Sequence, residues 1–310
     1  MKILIAGASG FIGAELVKHL VATQQITVIG RSQAKLQKQF GNTVESVTWQ
    51  NLTTLDAKSF DAVINLSGYN IGASRWTKPI KQLIIDSRVD TTQQLIDWLI
   101  KQQAKPRFFC ANALSIYGVQ DNSNPMIHDE ISPVNLDHPE NFLHEVSVKW
   151  QRALNPGIEY GMKVIMLRFA VVLKRDQGML KKLLPSFKLG LGSVLGDGKQ
   201  TISWVHFSDL VSAIEFLLLR PELTGPFNIV APQLVSQKEF ANNLAKCLHR
   251  PRWLKTPGFL IRFLFGEMGE FLLLKGQRAQ PRRLTEAGFC FRYPELKMAL
   301  EQELCTDKVE

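Results

Sequence analysis

No apolar run in this 310-residue chain reaches the roughly 18 residues that a membrane span needs. Cysteine is scarce: Cys110, Cys247, Cys290 and Cys305 lie far apart and form no CxxC pair. That spacing argues against a zinc site and against a disulfide framework, so no metal is expected. Internal repeats and low-complexity segments are missing as well. At the N-terminus no cleavable leader pattern precedes Lys2, which enters an apolar strand directly, so the expected location is cytoplasmic with no membrane partner. Acidic charge is in deficit: 37 Lys and Arg face 28 Asp and Glu, a net charge of +9. A basic balance can signal nucleic acid, but no basic repeat with interleaved aromatics and no helix-turn-helix pattern accompanies it. The excess reads as a solvated basic surface, with a phosphate-rich small ligand as the next reading.

What is present is an alternation of strand and helix patterns. Residues 2–7, 26–30, 61–67, 107–112 and 163–169 read as strands, and 11–23, 32–39, 78–103 and 142–154 as helices. Apolar runs of four to seven residues bounded by polar ones suit strands buried on both faces. The alternation predicts an α/β chain with a doubly wound parallel sheet. Residues 1–172 form the first expected domain, with 207–230 (helix 209–219, strand 226–230) returning to its sheet. After about residue 173 the pattern becomes glycine-rich and hairpin-like around Asp197–Gly198, then mostly helical over 236–248 and 257–300. Residues 173–310 therefore read as a smaller C-terminal lobe on the substrate side.

The first strand runs into GASGFIG, with glycines at 7, 10 and 13. A glycine triplet alone is weak, but this one follows a strand and opens a helix. Gly7 permits the tight turn, Gly10 lets a pyrophosphate approach the backbone, and Gly13 lets helix and strand pack closely. The helix N-terminus offers free N–H groups and a positive dipole end to phosphates. At the end of the second strand, an NAD-binding fold usually carries an acid for the ribose 2′-OH. Here Gly30-Arg31-Ser32 stands in that place. Arg31 suits a 2′-phosphate and hence NADP(H); the other reading is a surface arginine stacked beside an adenine.

GASGFIG together with NLSG at 65–68 resembles the extended short-chain dehydrogenase/reductase superfamily. INLSGYNIGASRWT, the pair Ser87-Arg88, LPSFKLGLGSVLGDGKQ, SWVHFSDL, GPFNIVAP and QRAQPRRLTEAGFCFRYPEL narrow this to the YfcH-type "epimerase family" proteins, a group often filed as nucleoside-diphosphate-sugar epimerases. The resemblance runs from residue 1 to about 300. It implies an extended Rossmann fold with a C-terminal lobe and bound NADP(H). It also implies cofactor contacts from Gly7, Ser9, Gly10, Phe11, Ile12, Gly13, Arg31, Ser32, Leu66, Ser67, Gly68, Arg88, Ala111 and Val171.

One thing the superfamily needs is absent. Short-chain reductases use a Ser–Tyr–Lys set in which the Tyr of YxxxK is the acid or base. Only Tyr293 has a lysine four residues on, Lys297, and that pair sits in RYPELK near the C-terminus. The helix FLHEVSVKWQRAL, which should carry the pair, has Leu143 near the Tyr position and Ser147 near the Lys position. Its His144 and Glu145 could titrate but read as a solvated helix face. The strand-five end, CANALSIYG, has Asn112 where the superfamily serine is expected and Ser115 three residues later. Tyr117 is then the nearest hydroxyl for a general acid, with Asn112 orienting the reacting oxygen, or else it packs under the loop. Arg75 and Trp76 suit an anionic or nucleotide-linked small molecule, or a loop staple. Trp204 and His206 are further substrate-side candidates, His206 reading more as structural. Arg282-Arg283 reads as a solvated pair. The expected function is an NADP(H)-binding oxidoreductase or epimerase-like enzyme of atypical mechanism; the alternative is a non-catalytic NADP(H)-binding redox sensor or regulator.

Overall fold

A computed structural model describes residues 1–120 and 126–305. The last residues of the expected lobe, 306–310, lie outside the described part. In chain order the first half comprises β1 (Lys2–Ala6), α1 (Phe11–Leu20), β2 (Gln25–Gly30), α2 (Gln33–Phe40), β3 (Glu45–Thr48), β4 (Ala62–Asn65), α3 (Lys78–Lys101), β5 (Arg107–Ala113), α4 (Phe142–Arg152), α5 (Asn155–Glu159) and β6 (Val164–Phe169). There follow β7 (Val171–Leu173), α6 (Gly178–Lys188), β8 (Ser193–Leu195), β9 (Thr201–Ile202), β10 (Trp204–His206), α7 (Phe207–Leu218) and β11 (Gly225–Ile229). The chain ends with β12 (Val235–Ser236), α8 (Gln237–Cys247), β13 (Leu254–Thr256), α9 (Gly258–Gly269), α10 (Arg282–Glu286) and α11 (Leu296–Cys305).

Seven parallel strands form the central sheet in the order β11-β6-β5-β4-β1-β2-β3. Successive residues of each strand face opposite sides. Ile3, Ile5, Val28, Phe109 and Ile165 pack with α1, α2 and α7 on one face. Leu4, Ala6, Ile29, Phe108 and Val164 pack with α3 and Trp150 of α4 on the other. Burial on both faces is why these strands read as continuous apolar runs rather than alternating ones. The order reverses between β1 and β4, which places a crevice at the carboxyl ends of these two strands.

β3 was not visible in the sequence. Its residues, ESVT, are short and polar, and it forms a sheet edge where apolar content is not required. The opposite edge, β11, is covered rather than left open. Glu130 accepts from the Asn228 N–H at 2.8 Å and the Arg283 N–H at 3.2 Å, while Arg283 donates to Pro226 O at 2.7 Å. Arg283 also lies over the Phe227 ring at 4.2 Å, and Arg282 pairs with Glu286 and Asp129, so this pair is a clasp and not a free surface pair.

Two lobe expectations need correction. The glycines near Asp197 do make a turn, with Gly196 at φ +62° and Gly198 at +73°, but the flanking strands do not pair with each other. β8 pairs with β13 and β9 with β12, and the buried Gln200 side chain bridges Leu195 O and Leu273 O across the gap. The segment 257–300 is also less helical than its apolar spacing suggests. Gly266 at φ +58° breaks α9, residues 270–274 form a π turn, and 275–281 run extended beside Gln120 and His128. The lobe has its own core, where Phe240, Leu244 and Leu300 pack with Trp204 and Leu180.

Candidate functional site

The GASGFIG turn closes with Gly10 N–H donating to Gly7 O at 3.0 Å. Gly7 adopts φ +75°, and a Cβ there would meet Leu66 C at 2.5 Å, so the β1 and β4 turns touch at the switch point. A Cβ on Gly13 would drive into Gly7 O and sit 2.7 Å from Ala8 Cα; this glycine lets α1 pack on β1. Gly10 is different. A Cβ there would meet only Gly7 O, at 3.3 Å, so its space is not taken by protein. α1 begins at Gly10 with no side-chain cap and no acid in its first turn, leaving N–H groups and the positive end of the helix turned outward. Ser9 is exposed; Phe11 stacks on Phe207 with centroids 5.6 Å apart. Arg31 is exposed at the end of β2 and has no ion pair among the described residues, while Ser32 caps α2.

A buried polar cluster holds the β4 turn. Thr92 Oγ1 receives bonds from Asn65 Nδ2 (2.9 Å) and Trp150 Nε1 (3.1 Å), and Asn65 Oδ1 accepts from the Ser67 N–H at 3.0 Å. Gly68 leaves room for the Arg88 guanidinium: a Cβ there would come within 3.0 Å of Arg88 Cζ. Arg88 donates to Tyr69 O and Ile84 O, lies over Trp150, and faces no carboxylate among the described residues. Loss of hydration pulls its pKa down to about 10.

Beyond the ends of β5 and β6 and at the start of β7 lies a cavity of about 360 Å³, walled on its far side by α6, α8 and residues 271–277. Its lining is mostly apolar, including Leu143, Phe169, Val171, Phe187 and Phe240, with Ser115, Ser203, Thr201, Gln200 and Gln277 as polar points. Among the described residues, Lys275 is the one titratable residue of the lining. Ser115 Oγ lies 2.5 Å from Ser147 Oγ, so a linked hydroxyl pair occupies the region of the expected Tyr and Lys.

The other expected site residues make the following contacts. The Tyr117 hydroxyl donates toward Asp129 O (2.8 Å) and Asn228 Oδ1 (2.9 Å) and accepts from Arg168 Nη1 at 2.7 Å, and its ring stacks on His128 at 4.8 Å. Burial pushes its pKa above the ordinary value despite Arg168 beside it, and it does not line the cavity. Asn112 is buried, with Nδ2 bonded to Ser147 O at 3.2 Å, and Ala111 is buried in β5. Arg75 donates to the Phe263 and Leu264 carbonyls, capping the first part of α9, and Trp76 Nε1 donates to Ile71 O while its ring meets Phe142. Trp204 is fully buried in the lobe core. His206 caps α7 through Nδ1, stands 2.9 Å from Glu303, and packs on Tyr293. His144 is buried, not solvated, while Glu145 pairs with Lys149.

Comparison with known proteins places this geometry. The model of the NAD dependent epimerase/dehydratase family matches residues 3–230, and a domain of unknown function, DUF1731, matches 256–303. An epimerase family protein of Staphylococcus haemolyticus is 34% identical over 303 residues, covering 97% of this chain and 98% of that one. This chain belongs to the NAD dependent epimerase/dehydratase family. Within it, a chloroplastic homologue of epimerase family protein SDR39U1 from Arabidopsis thaliana is 35% identical over 312 residues, covering 97% and 86% of the two chains. The crystal structure of human SDR39U1 with NADPH matches at TM-score 0.86 and 29% identity, covering 98% and 99%.

In this family member the structure brings the glycine turn, the β4 turn, Arg88 and Arg31 to one end of the sheet. Of the other site residues expected from sequence, Val171 lines the cavity; Arg75, Trp76, Trp204 and His206 do not. Sequence reasoning missed Lys275 entirely. It noted Ser115 and Ser147 but could not join them, since 32 residues separate them and only the packing of α4 on the β5 end makes the contact. Lys275 carried no signal, because it lies in LLLKGQ, remote in sequence from every nucleotide-fold motif.

Proposed function

We propose that this protein binds NADP(H) along the glycine turn and reduces a small carbonyl compound held in the adjoining cavity. Two readings of the cofactor site support this. Gly10 leaves space over an uncapped helix N-terminus, where a pyrophosphate fits. Arg31 is exposed at the end of β2 and in no ion pair among the described residues, where a 2′-phosphate would give it charge-assisted hydrogen bonds. Ser9, Phe11, Ile12, Ser32, Leu66, Ser67 and Gly68 would supply the remaining cradle, with Arg88 beneath the β4 turn and Ala111 and Val171 toward the nicotinamide end. When bound, the cofactor supplies a hydride to an electrophilic carbon.

The chain's own contribution must be to orient the carbonyl oxygen and give it a proton. The observation that carries the reading is the cavity wall, where Lys275 is the single titratable residue among the described lining and Ser115 is a hydroxyl point on the same cavity. Ser115 Oγ, positioned by Ser147, would hydrogen-bond the oxygen, and the Lys275 ammonium would deliver the proton as the alkoxide forms. The apolar lining excludes water and favours a substrate with few charges. Leu143 stands near the position where this superfamily carries its tyrosine, so the proton has to come from another group, and the apolar lining is what favours a small carbonyl compound over a charged sugar nucleotide.

The test follows NADPH absorbance with a panel of apolar aldehydes and ketones, in wild type and in Lys275→Met. Turnover in wild type and its loss in the variant, at unchanged NADPH affinity, supports the reading. NADPH binding with no turnover across the panel favours the non-catalytic regulator, which the missing Tyr–Lys pair would also suit.

A further inference from the structure

The net charge of +9 is not spread over the chain. Between Asp176 and Asp197 the sequence carries Lys181, Lys182 and Lys188 and no acid. Between Glu239 and Glu267 it carries Lys246, Arg250, Arg252, Lys255 and Arg262 and again no acid. The fold joins these two stretches. β8 pairs in parallel with β13, and Gly190 lies against Pro251. α9 follows β13 directly. The same stretches hold the most exposed large apolar side chains in the described structure: Trp253 at 83%, Phe263 at 79%, Leu189 at 75% and Phe259 at 71%. Lys188 immediately precedes Leu189, and Arg250 and Lys255 flank Trp253. These three cations are exposed and in no ion pair among the described residues, whereas Arg262 is paired with Glu270.

Large apolar patches rimmed by charge mark an interaction surface. We propose that this face docks on an anionic lipid bilayer, with Trp253, Phe259, Phe263 and Leu189 entering the headgroup boundary and Lys188, Arg250 and Lys255 meeting the anionic headgroups. Aromatic residues beside lysine and arginine, with acids excluded, match the interfacial environment. Charge decides against the simplest alternative. A second copy of this chain docked through the same face would set two unpaired basic rims against each other, and like charges across an interface are unfavourable. The sequence expectation of no membrane involvement rested on the length of apolar runs, which tests for a span and not for surface attachment.

The test is co-sedimentation of the full chain with vesicles of phosphatidylcholine alone and of phosphatidylcholine with phosphatidylglycerol, at low and high salt. It needs no cofactor and no turnover, so it stands or falls apart from the reductase reading. Binding to the anionic vesicles only, reversed by salt, is expected. Each of Lys188→Gln, Arg250→Gln and Lys255→Gln should weaken it by about fivefold, and the double variant Phe259→Ser/Phe263→Ser should abolish it. These side chains are exposed, so unchanged circular dichroism and melting temperature should accompany the loss. Equal sedimentation with neutral and anionic vesicles, or none with either, would overturn the proposal. So would a dimer in light scattering that Phe263→Ser dissociates while vesicles bind neither form.

Discussion

Arg31 and Lys275 are cations with different burdens. Arg31 is exposed, has no ion pair among the described residues, and stands where an acid would select NAD. Replacing it with Ala should remove about 1.5–3 kcal/mol of NADPH binding and leave NADH binding nearly unchanged, so competitive titration of the two cofactors should converge. Lys275 is the single titratable residue among the described lining of the cavity. Lys275→Met should lower the rate by about 100- to 10,000-fold while a fluorescence titration finds NADPH affinity unaltered. Tyr117 separates a structural hydroxyl from a chemical one. Tyr117→Phe strands Arg168 Nη1 and Asn228 Oδ1 and should cost about 1–3 kcal/mol of stability. Its turnover should stay close to wild type. A large rate loss with unchanged melting would return Tyr117 to the role of proton donor.

At the scale of an element, the β1–α1 unit carries three glycines for three separate reasons. Gly7 needs a positive φ, Gly13 needs the absence of a Cβ against the β1 turn, and Gly10 alone leaves space that no protein atom fills. Gly10→Val and Gly13→Ala should therefore fail differently. Gly10→Val should melt near wild type and lose its thermal shift with NADPH. Gly13→Ala should melt lower with or without ligand, because the new methyl group displaces α1 from the sheet, an overpacking cost of about 1–3 kcal/mol. A scan of both proteins with and without NADPH checks this. Equal melting temperatures for the two variants would count against the division of labour.

Over the whole molecule, the lobe is stitched to the nucleotide-binding part. Asp209 of α7 accepts from the Arg292 and Tyr293 N–H groups at 2.8 and 2.9 Å, and Glu303 of α11 meets His206. β11 joins the sheet only after α6 and β8–β10 have been laid down, so neither part is a continuous chain segment. Global stability should consequently respond to pH as one transition. His128 and His144 are both held below their ordinary value of 6.5, chiefly by burial. As pH falls below 6.5 the unfolded chain takes up these protons first, so the unfolded state binds more protons and stability drops. Glu130 and Asp209, pushed up by burial, act in the opposite sense, between the carboxylate range and their raised values. Melting temperature should therefore fall from pH 7 toward pH 5.5, and His144→Gln should flatten the slope. An unchanged slope in that variant would remove His144 from the account.

The alternation of apolar runs and helical spacing already determined the doubly wound sheet, because strands covered on both faces and helices with one buried stripe leave periodic marks. The glycine turn and Arg31 were legible for the same reason: their demands on the backbone and on charge are local. The substrate side was not legible. Ser115 and Lys275 line the cavity from distant segments, Ser147 meets Ser115 from a third, and nothing in the residues near each one marks it out. Trp204, His206, Arg75 and Trp76 looked like ligand-facing residues because aromatic and basic side chains are equally good at packing, capping and binding. Only the tertiary structure shows what each side chain touches, Glu303 for His206 and the α9 carbonyls for Arg75. Local sequence sets backbone conformation and buried faces, whereas a cavity is defined by contacts whose sequence separation leaves no periodic trace.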